Sequence, residues 1–79
     1  MPRIITFGKL AVYVYASPRE HPPPHFHVVG PDTDVSIEIR TLRVMEGQYR
    51  PGEIADILDW ARRNTALLLM KWTEFNERD

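Results

Sequence analysis

Three histidines lie within a seven-residue stretch, where His21 and His25 flank three prolines and His27 follows. Imidazole exchanges protons near neutral pH and also binds transition metals. His25 and His27 are two positions apart, so on a β-strand they project from the same side, about 7 Å apart at the backbone. The cluster therefore predicts a strand surface that carries reactive imidazole groups. Three interpretations of this surface are open.

One interpretation is a metal site. The imidazoles of His25 and His27 can converge on one ion, with His21 or Glu38 as a third ligand. The chain has no cysteine, and no aspartate-rich motif lies beside the histidines. We therefore treat His25 and His27 only as candidate ligands and expect no cofactor.

A second interpretation is acid–base catalysis of RNA cleavage. This reaction needs one group to deprotonate the ribose 2′-hydroxyl and another to protonate the leaving oxygen. A histidine can fill either role, and an arginine can stabilise the phosphate. The candidate residues for these roles are His25, His27, Tyr13, Tyr15, Glu38 and Arg40.

The third interpretation involves no catalysis. Histidine side chains can hydrogen-bond loop carbonyls while their rings pack on tyrosine. Alternatively, a surface of tyrosine and histidine binds a protein, because aromatic residues are enriched at such interfaces.

Alternating apolar residues predict several short strands in the first fifty residues. Pro22 to Pro24 must lie outside a central strand, because proline cannot donate to a ladder. Turns are expected at Gly8-Lys9, at 30–32 and at Glu46-Gly47. The predicted strands cover 4–7, 10–15, 25–29, 35–39 and a short edge strand at 43–45.

After Pro51 the apolar spacing becomes helical, and Pro51 itself suits the first turn of a helix. Asn64 and Thr65 favour caps, so the segment is either one long helix or two helices broken there. With 79 residues, the chain is expected to be a single domain over 1–79. The prediction is an α+β fold, with an antiparallel sheet of three to five strands and the helical segment packed on one face.

Strand periodicity sorts the side chains onto two faces of this sheet. The apolar face should lie under the helical segment, which can cover only one side. The other face is then expected to be open to water or to a partner. Its predicted members are Tyr13, Tyr15, His25, His27, Ser36, Glu38 and Arg40.

The charge balance argues against a general nucleic-acid binder. Ten basic and eleven acidic side chains give a formal net charge of −1, whereas phosphate neutralisation usually requires a basic excess.

The apolar run at 4–7 is too short for a signal peptide or a membrane span. We therefore expect a cytoplasmic protein without a membrane partner.

A proline–histidine segment at 23–27 stands between a strand and an isoleucine-rich strand, and two tryptophans are spaced along the helical segment. The residues concerned are Met1, Pro2, Phe7, Pro23, Pro24, His25, Phe26, His27, Ile37, Glu38, Ile39, Val44, Gly47, Trp60 and Trp72. This pattern resembles small bacterial proteins of the domain-of-unknown-function family numbered 4160. The sequence departs from the pattern by His21, where Asn or Asp is more common, and by an extra proline.

The resemblance implies a partner rather than a reaction. Proteins of this kind are commonly found beside a member of another uncharacterised family, numbered 2442, in an arrangement like a toxin–antitoxin pair. By resemblance, the chain would then be one member of such a pair, in the role of the toxin. From the residues we hypothesise that the predicted open face either meets the antitoxin encoded nearby, or cleaves RNA and is masked by that antitoxin. The alternative is a non-enzymatic protein-binding module or homodimer with structural histidines.

Overall fold

The computed structural model of the chain describes residues 3–15, 22–50 and 52–76. Five strands form one antiparallel sheet in sequence order, and two helices follow, which confirms the predicted α+β fold. The strands are β1 (Arg3–Phe7), β2 (Leu10–Tyr13), β3 (His25–Gly30), β4 (Thr33–Glu38) and β5 (Val44–Gln48), and the helices are α1 (Ala55–Arg63) and α2 (Thr65–Asn76).

One apolar core lies between the sheet and the helices. Alternate residues of β2, β3 and β4 point into it, as period-two patterning requires. The helices contribute one residue per turn or so to the same cluster. Its largest fully buried side chains are Val12, Val14, Phe26, Val28, Val35, Ile37, Ile39, Ile57, Leu68 and Trp72.

Three predicted strand bounds were wrong by two or three residues. β2 ends at Tyr13 rather than at position 15, although Val14 remains buried. β4 begins at Thr33 rather than at Val35, because a tight turn at Pro31 and Asp32 brings Gly30 opposite Thr33. β5 ends at Gln48 rather than at position 45. The turn expected at Gly8-Lys9 is present, with Gly8 at φ 58°.

The turn predicted at Glu46-Gly47 was also wrong, because β5 runs through both residues to Gln48. Gly47 has φ 108° and lies opposite Val35. A Cβ at Gly47 would overlap the carbonyl oxygen of Asp34 and come within 2.7 Å of the Val35 Cα. Glycine is thus required here by close approach of two strands, and not by a turn.

The helical segment consists of two helices, one of the two arrangements that the sequence left open. Asn64 lies between α1 and α2 with φ −129°, and its side chain donates to the Trp60 carbonyl at 2.8 Å. The first helix begins at Ala55, later than predicted, because Gly52 has the left-handed φ of 83°. Pro51 lies outside the described residues. No helix of the described ranges is long and apolar enough to cross a membrane.

Candidate binding face

The register of the sheet defines its open face, on the side away from the core. Tyr13 pairs with His27, His27 with Ser36, and Ser36 with Glu46, so these side chains form one row. The neighbouring rows add Ala11, Val29, Asp34 and Gln48 on one side, and His25 with Glu38 on the other. The structure therefore brings together most of the residues assigned to this face by periodicity.

A continuous aromatic ladder lies on the open face of the sheet. We use this name for the contacting rings of Tyr13, Tyr15 and His27. The tyrosine rings stack with centroids 5.5 Å apart and an interplanar angle of 16°. The ring of Tyr15 contacts that of His27 at 4.6 Å. All three side chains are half-buried, so the ladder presents ring surface to solvent while its rings support one another.

His25 differs from the expectation of an open-face residue, because only 7% of its surface is exposed. Its ring lies 5.1 Å from that of His27 and 5.0 Å from the indole of Trp72 on α2. Its Nδ1 lies 2.8 Å from the carbonyl oxygen of Pro23. A carbonyl can only accept, so Nδ1 carries the proton in this bond.

The end of α2 explains why His25 is covered. The Nδ2 of Asn76 donates to the carbonyl of Tyr15 at 2.8 Å and to that of Trp72 at 3.3 Å. The bond to Tyr15 holds the last turn of α2 against the segment that follows β2, whereas the bond to Trp72 lies within the helix. The Trp72 indole consequently closes one end of the sheet over His25.

Glu38 and Arg40 lie at the same end of the sheet but have different surroundings. Glu38 pairs with His25 across the strands, and its carboxylate accepts from the Thr41 hydroxyl at 3.0 Å. Arg40 is exposed in the turn after β4, beyond the last residue of the strand. Periodicity placed Arg40 on the open face, but the strand ends before it.

A shallow depression of about 250 Å³ lies beside the aromatic ladder and was not predicted as a site. It is lined by His27, Asp34, Ser36, Glu46 and Gly47. We refer to it as the acidic depression, because Asp34 and Glu46 supply its charge. The prediction that β4 begins at Val35 omitted Asp34, and the assignment of Glu46 to a turn omitted the second carboxylate. The alternation of Asp34, Ser36 and Glu38 was the available signal.

In the part of the chain that the structure describes, no third potential ligand joins His25 and His27 in a metal-binding arrangement. No set of three His, Cys, Asp or Glu side chains is arranged to hold an ion there. The Nδ1 of His25 is already hydrogen-bonded to Pro23. Of the two third ligands considered, Glu38 forms no such set with the histidines, and His21 lies outside the described residues.

A second, larger groove of about 610 Å³ runs along the outer side of α2. It is lined by Ala66, Leu69, Met70, Lys71, Thr73 and Glu74. It contains no histidine or tyrosine and is separate from the open face of the sheet. Met70, which is 56% exposed, offers a convenient position for control substitutions.

Comparison with curated proteins and with solved structures finds no match to the chain. A family model does match, over residues 10–73, and its description is Domain of unknown function (DUF4160). The match spans β2 through most of α2, and it includes the proline–histidine segment, the acidic depression and both tryptophans. The chain therefore belongs to the DUF4160 family.

Proposed function

We propose that the chain is the protein-binding component of a two-protein module. In this proposal its partner is the product of a neighbouring gene, and the open face of the sheet contacts that partner. The observation that carries the proposal is the aromatic ladder of Tyr13, Tyr15 and His27, half-exposed beside the acidic depression.

The shape and chemistry of this face suit a protein ligand. Stacked tyrosines provide large contact area at low cost in side-chain entropy, which is why they dominate many protein interfaces. The ladder is also fixed by its own ring contacts and by the Asn76 bond to Tyr15. A surface that is already ordered loses little freedom on binding.

The charges of the face favour binding over RNA cleavage. Asp34 and Glu46 line the acidic depression, and carboxylates repel the phosphates of RNA. Arg40, the residue expected to hold a phosphate, is in the turn beyond β4. RNA cleavage is the second candidate function, since the rings of His25 and His27 lie 5.1 Å apart and this reaction needs a general acid beside a general base.

In a toxin–antitoxin arrangement, both candidates give the partner a role at this face. A binding component forms the complex directly through the ladder. A nuclease is masked when the partner covers His27. Growth inhibition by the chain expressed alone does not separate the two functions, whereas RNA integrity does.

The proposal is tested by measuring affinity for the purified product of the adjacent gene. Tyr13→Ala and His27→Ala are each expected to weaken binding about tenfold or more, since central aromatic residues often carry over 1 kcal/mol. Met70→Ala on α2 is the matched control, and its affinity should equal that of the wild type. Circular dichroism confirms that each variant is folded.

Wild-type affinity of both open-face variants would overturn the proposal. So would a nuclease result, in which the chain alone cuts cellular RNA and folded His27→Ala does not. If the chain is a binding component, we expect RNA to stay intact with the wild-type chain and with His27→Ala alike.

A further inference from the structure

The two edges of the sheet are covered to different extents. At β1, Ile4, Ile5 and Phe7 are partly buried against the core, and the Phe7 ring meets Trp60 at 6.0 Å. At β5 all five residues are exposed. The exposure includes Val44 at 38%, Met45 at 42% and, just beyond the strand, Tyr49 at 40%. Apolar side chains on a free edge are uncommon, because such edges promote association.

The main chain of β5 is oriented to accept another strand. The N–H of Glu38 donates to the carbonyl oxygen of Arg43 at 2.9 Å, in the segment that leads to β5. Because backbone polar groups alternate in direction along a strand, every second residue of β4 counted from Glu38 directs its N–H and C=O toward β5. Ser36 and Asp34 follow in that alternation, and their partners Glu46 and Gln48 face back toward β4. Gly47, between them, therefore directs its N–H and C=O outward from the sheet.

We propose that β5 binds an extended segment of a partner protein as a sixth strand, and that basic and apolar residues alternate in this segment. The inference rests on the proposed function in assuming a protein partner, but it concerns the edge rather than the aromatic ladder. Strand addition of this kind derives affinity from main-chain hydrogen bonds and specificity from alternate side chains.

Charge determines what the open-face side of the added strand carries. Glu46 and Gln48 point to the open face, and Glu46 shares the acidic depression with Asp34. Neither Asp34 nor Glu46 has an ion-pair partner among residues 3–15, 22–50 and 52–76. Basic side chains of an adjacent strand complement them. Arg43, which precedes β5, is itself basic. The preference for basic side chains in the partner is therefore confined to the stretch opposite Glu46 and Gln48.

The other side of the added strand meets apolar surface. Val44 pairs with the buried Ile37, so its side chain lies on the core side of the sheet. Tyr49, just beyond the end of β5, adds a further exposed aromatic ring. Valine or leucine at alternate positions of the partner would cover Val44 and Tyr49 and extend the apolar layer.

A second copy of β5 fits this edge less well. Pairing β5 with a second copy of itself would bring another Glu46 and another Gln48 to the same face. A second carboxylate would then lie where a basic side chain is needed. The charge of the edge therefore selects a different chain over a homodimer.

The probe is a fluorescein-labelled peptide of about eight residues, a typical strand length, in which arginine and valine alternate. The wild-type chain is expected to bind it and to slow hydrogen exchange at the Gly47 amide. Glu46→Lys should weaken binding about tenfold or more and should favour the same peptide with glutamate in place of arginine. Glu74→Lys on α2, with the same charge change, should bind as the wild type does.

Several results would overturn the inference. These are no binding of the alternating peptide, equal binding of a peptide with the same residues in blocks, equal losses for Glu46→Lys and Glu74→Lys, or a solution dimer that Glu46→Lys dissociates. Failure of the proposed function is distinguishable. In that case Tyr13→Ala keeps full affinity for the gene-neighbour protein while Glu46→Lys loses it.

Discussion

The two histidines of the β3 strand have different surroundings although they share a face. His25 is held by the Pro23 carbonyl and the Trp72 indole, and almost none of it is exposed. His27 is half-buried, lies in the aromatic ladder and lines the acidic depression. His25 therefore matches the interpretation of a histidine that orders a loop, whereas His27 is the member available to a ligand.

This difference predicts unequal effects on stability. His25→Ala should lower the free energy of unfolding by about 2–3 kcal/mol, because it leaves a cavity against Trp72 and an unsatisfied carbonyl. His27→Ala should cost about 1 kcal/mol or less, as is usual for a partly exposed side chain. Urea denaturation of the two variants measures both values.

The control for this comparison is the m-value, which should be unchanged if both variants unfold in one step. Equal losses for His25→Ala and His27→Ala would contradict the assignment of His25 to loop ordering.

Among the secondary-structure elements, hydrophobic periodicity predicted the strands, whereas the cap-forming residues marked where the helical segment would break if it formed two helices. The alternation in β2 and β3 and the cap-forming residues at 64–65 are local signals, and they act through local sterics and hydrogen bonds. The ends of β4 and β5 were less predictable. They depend on which neighbouring strand satisfies each backbone group, and that information is not local.

Gly47 illustrates this non-local requirement and gives a prediction. Gly47→Ala should lower the free energy of unfolding by about 3 kcal/mol, because φ 108° is unfavourable for alanine and its Cβ would overlap β4. Gly8→Ala is the matched control, since Gly8 also has a positive φ but no atom within 4 Å of an added Cβ. Its expected cost is about 1 kcal/mol.

Chemical denaturation measures both glycine variants, and hydrogen exchange should show lost protection of the β4–β5 pairing only in Gly47→Ala. Similar costs for the two variants would mean that backbone strain alone, and not contact with β4, makes Gly47 necessary.

At the scale of the whole molecule, a small polar network joins the sheet to the start of the helical layer. The carboxylate of Glu53 accepts from the hydroxyl of Thr33, which is 3% exposed, and from the Arg50 N–H at 3.3 Å. Arg50 also pairs with Asp32 at 3.1 Å, between two exposed side chains. The network fixes the β3–β4 turn against the segment that leads to α1, in addition to the apolar core.

This network predicts a pH dependence of stability. The Thr33 hydroxyl, aided by the Arg50 N–H and guanidinium, lowers the pKa of Glu53 below its ordinary 4.5, while desolvation opposes the shift. A lowered pKa means that the stabilisation is fully present above pH 4.5 and is lost as the pH falls through the folded-state value. Acidification below that point should therefore destabilise the chain through Glu53.

Glu53→Gln is expected to remove this part of the acid dependence, and NMR titration of the Glu53 carboxyl measures the pKa directly. Asp59 is a useful comparison, because Arg63 lowers its pKa on the surface of α1. Asp59→Asn should leave the Glu53 titration unchanged. A Glu53 pKa at or above the ordinary value would contradict the role of Thr33.

The order of the elements along the chain and the position of a helix break at 64–65 follow from the sequence, although one helix or two remained open at that level. Residue spacing also assigned Tyr13, His27 and Ser36 correctly to the open face, but it placed the turn residue Arg40 there as well. Backbone geometry converts residue spacing directly into those features. Tertiary structure alone decided that Trp72 covers His25, that Gly47 continues β5, and that Asp34 and Glu46 meet beside His27. Each of these depends on contact between segments distant in sequence, which no local pattern specifies.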